Sequence, residues 1–72
     1  MSKLRDMLYT SAIADKAKAQ LTLELLEKNP AGIGDHSTKD FYENAEEALS
    51  MLVDADDRIS AIEKYLTKKT LL

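Results

Sequence analysis

The sequence contains no cysteine and no tryptophan, and its 72 residues include one proline, two glycines and one phenylalanine. Without cysteine the chain has neither disulfides nor thiolate metal ligands to stabilise it. No apolar run approaches the ~20 residues of a membrane-spanning helix, and the first residues lack the apolar core of a signal peptide. We therefore expect a cytoplasmic protein that has no membrane partner.

The scarce helix-breaking residues are concentrated in one place, because the only proline and both glycines fall within residues 29–37. Pro30 disfavours helical geometry at Asn29, which can take a left-handed cap, and Ser37 can cap a following helix. The sequence therefore predicts an all-α domain over residues 1–72, with a helix over about 3–28, a loop over 29–37 and a helix over about 38–68. A short loop makes two such helices fold back as an antiparallel hairpin.

The second predicted helix carries an apolar residue at alternating spacings of four and three. This heptad pattern forms one narrow stripe, which is stable in water only when it packs against another helix. Its members are Phe41, Ala45, Ala48, Leu52, Ala55, Ile59, Ile62 and Leu66.

Apolar residues also lie outside that stripe. The first helix has two stripes, one with Met7, Ala14, Ala17, Leu21 and Leu25, the other with Leu8, Ala12, Ala19, Leu23 and Leu26, and the second helix adds Tyr42, Leu49, Val53 and Tyr65. A hairpin buries one stripe per helix, so the surplus predicts pairing into a four-helix bundle. The alternative is a monomer with ordinary exposed apolar side chains. We predict an interface that includes Leu8, Leu23, Leu26, Phe41, Ala45, Ala48, Leu49, Leu52, Val53, Ile59 and Ile62.

Charge is distributed unevenly along the chain, although the net charge is only −3. Residues 19–57 contain ten acidic residues and two lysines, whereas both terminal segments are basic. In a hairpin the two basic segments meet at the end away from the loop. Opposite charges attract, so this arrangement predicts that two hairpins pair antiparallel as a homodimer.

Residues with catalytic potential are few. His36 follows Asp35, but without a nucleophile or second ligand nearby a role in the turn is the stronger interpretation. The Gly32–Gly34 step lacks the strand and lysine of a phosphate-binding loop, and the acidic run 54–57 lacks the EF-hand pattern, which favours a solvated helix face. We therefore expect a non-enzymatic protein without cofactor or metal.

Basic residues at the open end of the hairpin are the only candidates for nucleic-acid contact: Lys3, Arg5, Lys64, Lys68 and Lys69. The protein as a whole is acidic, and no aromatic residues are interleaved with these cations. Cations near a helix C-terminus are also explained by the helix dipole. Nucleic acid is therefore the weakest of the partner classes considered.

The segment from Leu23 to Asp57 resembles small proteins of large tailed bacteriophages, including phages of marine cyanobacteria. The resemblance is carried by an N-P-x-G-I-G-[DE]-H step, which here is Asn29, Pro30, Gly32, Ile33, Gly34, Asp35 and His36. Ala31 stands where we expect valine in that family. The family has no assigned activity, so the resemblance implies a phage accessory protein in the host cytoplasm and no functional residues.

These observations lead to three functional hypotheses. The first is an interaction module that dimerises and binds a host or phage protein, since apolar surface is abundant and chemistry is not. The second is a structural or assembly element of a phage particle. The third is a nucleic-acid-binding accessory protein.

Overall fold

The computed structural model describes residues 2–28 and 38–66, and within these ranges it contains two helices and no strand. Helix α1 spans Lys3–Lys28 and helix α2 spans Thr38–Tyr65. Asp15 and Lys16 of α1 pair with Arg58 and Asp56 of α2, so the helices run antiparallel. The expected all-helical hairpin is therefore confirmed, and it forms a rod of 52 × 16 × 16 Å.

Several expectations fall on residues outside those ranges. One group is the predicted loop 29–37, which includes the Asn29 and Ser37 caps and His36. The other is the end of the second predicted helix, residues 67 and 68.

Helix α1 begins with a cap that the sequence analysis did not identify. The Arg5 amide donates a hydrogen bond of 3.0 Å to Ser2 Oγ, and the Asp6 amide donates one of 3.1 Å to the Ser2 carbonyl. The first amides of a helix have no carbonyl partner within the helix, so a side-chain oxygen at this position satisfies one of them. Ser2 therefore fixes where α1 starts.

The two helices meet along a seam of residues spaced seven apart. Its buried members are Ala12, Ala19 and Leu26 on α1, with Ala48, Ala55 and Ile62 on α2. Half-buried residues alternate with them or extend the seam: Arg5, Tyr9, Lys16 and Leu23 on α1, with Phe41, Ala45, Leu52 and Ile59 on α2. The heptad stripe of α2 thus faces α1, apart from Leu66 at its end, which is exposed.

The seam uses only one of the two stripes of α1. Ala12, Ala19, Leu23 and Leu26 face α2, whereas Met7, Ala14, Ala17, Leu21 and Leu25 are exposed. Because four of the six buried residues are alanines, the helices approach closely but bury few methylene groups. Each buried methylene contributes only ~0.8 kcal/mol, so this seam is a thin core.

Candidate interaction surface

A large part of the apolar side-chain surface lies outside the seam. Among the described residues twelve large apolar side chains are 36–63% exposed. They are Leu4, Met7, Leu8, Ile13, Leu21, Leu25, Tyr42, Leu49, Met51, Val53, Tyr65 and Leu66. Single exposed apolar residues are ordinary, but grouped ones mark interaction surfaces.

The heptad geometry divides the surface beside the seam into two flanks. We call one the Arg58 flank. Six of its residues precede buried seam residues by four positions: Leu8, Asp15 and Thr22 on α1, with Asn44, Met51 and Arg58 on α2. Six more precede buried seam residues by one position: Ser11, Lys18 and Leu25 on α1, with Glu47, Asp54 and Ala61 on α2. We call the other the Leu49 flank; it includes Ile13 and Gln20 on α1, with Tyr42, Leu49, Val53 and Asp56 on α2, each of which follows a buried or half-buried seam residue by one position. Positions on the two sides of a heptad seam point in different directions, so the flanks lie on opposite sides of the rod.

Two shallow apolar grooves lie on the Arg58 flank. The loop-end groove has a volume of about 350 Å³, and Ala19, Thr22, Leu25, Leu26, Asn44, Glu47, Ala48 and Met51 line it. The open-end groove has a volume of about 230 Å³, and Leu8, Ser11, Arg58, Ala61 and Ile62 line it. Both grooves take side chains from α1 and from α2, so the flank is a two-helix surface.

An ion-pair cluster lies between the two grooves. Arg58 Nη2 donates to Asp15 Oδ2 at 2.7 Å across the seam, and Arg58 Nε donates to Asp54 Oδ2 at 3.0 Å along α2. Lys18 Nζ lies 4.0 Å from Asp15 Oδ1. The hydrogen bond with Asp15 is the main reason why the pKa of Arg58 is raised above its ordinary value, an effect that partial burial opposes. Arg58 is therefore charged at every working pH.

The Leu49 flank has a different composition. Tyr42, Leu49 and Val53, one turn beyond Leu49, are each more than half exposed on α2. Lys16 Nζ contacts Asp56 Oδ1 at 3.0 Å, which ties the helices together on this side. Apart from Ile13, the α1 residues beside them are mostly polar or small. The apolar surface of this flank therefore belongs mainly to one helix.

Two cations at the open end, Arg5 and Lys64, contact side chains of their own helices. The Arg5 guanidinium carbon lies 4.8 Å from the centre of the Tyr9 ring, and an Arg5 nitrogen lies 3.8 Å from Asp6 Oδ1. Lys64 Nζ lies 5.3 Å from the centre of the Tyr65 ring. Stacking over an aromatic ring stabilises a cation in place.

The residues predicted for the interface are divided among three places. Leu26, Ala48 and Ile62 are buried in the seam, and Leu23, Phe41, Ala45, Leu52 and Ile59 are half-buried there. Leu8 lies on the Arg58 flank, whereas Leu49 and Val53 lie on the opposite side.

Sequence reasoning missed the ion-pair cluster. It also did not identify Leu25 and Met51 as residues that line one groove. The four-residue spacing of Asp54 and Arg58 was the available signal for the cluster, since such pairs are neighbours on a helix. The acidic side chains of the 54–57 run, Asp54, Asp56 and Asp57, are exposed, as expected for a solvated helix face, and Asp54 and Asp56 are in addition ion-paired.

The residues that the structure describes contain no group of three or more His, Cys, Asp or Glu that could hold a metal ion. Glu43, Glu46 and Glu47 line an open acidic depression on α2 with Ser50. Neither described helix is long and apolar enough to cross a membrane. No family model matches the chain, and neither a curated protein nor a solved structure is similar to it.

Proposed function

We propose that this protein is a non-enzymatic protein–protein interaction module, and that its hairpin pairs with a second copy to form an antiparallel four-helix bundle. The observation that carries the proposal is the contrast between the thin alanine seam and the twelve exposed large apolar side chains. A domain of this size has little core of its own, so association is a common route to stability.

The charge distribution along the rod supports an antiparallel arrangement of the two copies. The loop end, residues 24–28 and 39–47, has six acidic residues and two lysines. The open end, residues 2–9 and 58–66, has four cations and two acidic residues. Placing two copies head to tail brings opposite charges together, whereas a parallel pair stacks like charges.

We also propose a partner other than a second copy of the chain. The resemblance to small phage proteins makes a host or phage protein in the host cytoplasm the class that we propose. Apolar surface on two opposite sides of the rod supports this, because one side can pair with a copy while the other stays available.

The same observation also favours a second candidate, an assembly element of a phage particle. Contacts through two different faces generate open-ended assemblies when the rotation between copies does not close. Presence of the protein in purified virions would favour this candidate, and its absence would favour a host-directed role. Nucleic-acid binding has less support, since Arg5 and Lys64 are stacked on tyrosines.

The mass in solution tests self-association. Light scattering after size exclusion should give a mass near twice 8.0 kDa, and that mass should fall on dilution and with added salt, because salt screens the charge pairing. Circular dichroism at each condition controls for loss of helix. A helical monomer at every concentration would contradict the proposed homodimer and leave only an interaction with a different protein.

A further inference from the structure

We infer that the Arg58 flank is the surface through which two copies pair, around a twofold axis that is perpendicular to the rod and passes near the Asp15–Arg58 ion pair. This inference rests on the proposed self-association and specifies its surface and geometry.

The composition of the two flanks distinguishes them. A hairpin that enters a four-helix bundle presents a face made by both of its helices. On the Arg58 flank both helices contribute apolar groups, with Leu25 and Met51 at the loop end and Leu8 and Ala61 at the open end. The Leu49 flank has its exposed apolar groups mainly on α2. Only the Arg58 flank therefore has the composition of a two-helix interface.

The Arg58 flank is also self-complementary. A twofold contact buries the same patch on both copies, so each feature must meet an acceptable partner when the copy is turned end for end. The two grooves lie on either side of the ion-pair cluster, so turning one copy places its loop-end groove against the other's open-end groove. Apolar surface then meets apolar surface at both ends.

The ion-pair cluster at the centre of the Arg58 flank is suited to a position near the twofold axis. Arg58 and Lys18 supply two positive charges, and Asp15 and Asp54 supply two negative charges. The cluster is thus neutral, and each charge has a partner before the copies meet. Burying a charge that is already paired and hydrogen-bonded costs far less than burying an isolated one.

The projected size of the flank is comparable to that of a standard interface. One side of a rod 52 Å long and 16 Å wide approaches the ~800 Å² that each partner buries in a standard interface. The antiparallel arrangement also places the acidic loop end, including Glu47, near the basic open end of the other copy.

Matched substitutions on the two flanks test the inference. Leu25, Met51, Leu49 and Val53 are exposed to similar extents, 46%, 44%, 54% and 51%, so we expect the folded hairpin to tolerate an aspartate at each. Leu25→Asp and Met51→Asp should weaken self-association by about a hundredfold or more, because each places an unpaired charge in the interface. Leu49→Asp and Val53→Asp should leave the dissociation constant nearly unchanged, as sedimentation equilibrium can measure.

The outcomes separate this inference from the proposed function. A monomeric unmodified protein overturns the self-association and this inference with it. A dimer that is broken by Leu49→Asp or Val53→Asp and not by Leu25→Asp or Met51→Asp overturns only the assigned surface. Circular dichroism of each variant establishes that the hairpin is still folded.

Cysteine crosslinking tests the axis, because the chain has no cysteine of its own. Lys18→Cys, next to the proposed axis, should crosslink to itself with a short bismaleimide, whereas Gln20→Cys on the Leu49 flank should not. Met51→Cys, seven residues and about 10 Å along α2 from Arg58, should not crosslink to itself. Self-crosslinking of Met51→Cys, or no crosslink from a dimeric Lys18→Cys protein, would overturn the geometry.

Discussion

Single side chains set how closely the two helices approach. Ala12, Ala19 and Ala55 are at most 1% exposed, and each occupies a seam position where a larger residue would push the opposite helix away. The two larger buried side chains, Leu26 and Ile62, lie towards the ends of the seam. The middle of the rod is therefore the part that is most sensitive to an increase in side-chain volume.

The first prediction concerns that sensitivity. Ala19→Leu should lower the free energy of unfolding by about 1–3 kcal/mol, because added methylene groups in a packed seam force the helices apart. Ala14→Leu, on the exposed side of the same helix, should change it by less than ~0.5 kcal/mol. Urea unfolding followed by circular dichroism measures both. An equal loss in the two variants would mean that Ala19 is not confined by α2.

The second prediction concerns the Asp15–Arg58 ion pair. In a double-mutant cycle with Asp15→Asn and Arg58→Gln, the double variant should lose less stability than the sum of the single variants. Unfolding should be measured at a protein concentration where the chain is monomeric. Additive losses would show that the 2.7 Å contact contributes nothing to the fold.

The pKa of Arg58 fixes how this coupling depends on pH. A folded-state pKa above the unfolded value stabilises the fold at all pH values below the unfolded pKa, and the contribution is lost as the pH rises through the folded value. Both values are strongly alkaline for Arg58, whose pKa is raised. Deprotonation of the guanidinium therefore should not weaken the coupling of Arg58 with Asp15 at any pH from about 6 to about 10. A decline in that window would point to another titrating group.

Individual helices differ in how much of their packing could be predicted from the sequence. The seam of α2 could be predicted, because Phe41, Ala45, Ala48, Leu52, Ala55, Ile59 and Ile62 keep the heptad spacing without a polar interruption. The seam of α1 could be predicted only in part. It includes Arg5 and Lys16, whose long stems lie along the seam while their charged ends reach Asp6 and Asp56. An apolar pattern does not reveal such residues.

The third prediction concerns the start of α1. Ser2→Ala should lower the free energy of unfolding by about 1 kcal/mol, because the Arg5 amide loses its side-chain acceptor. Ser2→Asp should retain the stability, since a carboxylate accepts the same hydrogen bond and carries a charge that suits the helix N-terminus. Thermal unfolding compares the two variants. Equal stability of Ser2→Ala and the unmodified protein would show that this cap does not limit the fold.

Whole-molecule organisation was predictable to the level of the hairpin and no further. The clustered proline and glycines predicted two antiparallel helices. The two flanks were not separable, because the side on which Leu8, Met51 or Val53 lies depends on how α1 and α2 face each other. The sequence pattern therefore places Leu8 and Val53 in one predicted set of interface residues, and the hairpin places them on opposite flanks.

The fourth prediction concerns the shape of the dimer. Side-by-side antiparallel pairing should double the mass while the longest dimension stays near the 52 Å of one hairpin, since the copies overlap along their length. End-to-end pairing would roughly double that dimension. Small-angle X-ray scattering at concentrations that give the dimer distinguishes them. A longest dimension well beyond one rod length would contradict pairing through a flank.

The repeated alanines of the seam have a consequence for how the helices find their alignment. Ala12 and Ala19 are one heptad apart, as are Ala48 and Ala55, so sliding one helix by a heptad still places small side chains against small side chains along much of the rod. Such a slip moves one helix by about 10 Å relative to the other, which separates Asp15 from Arg58 and Lys16 from Asp56. Packing thus determines which faces of the helices are in contact. The two ion pairs across the seam determine the register in which the heptads of one helix align with those of the other.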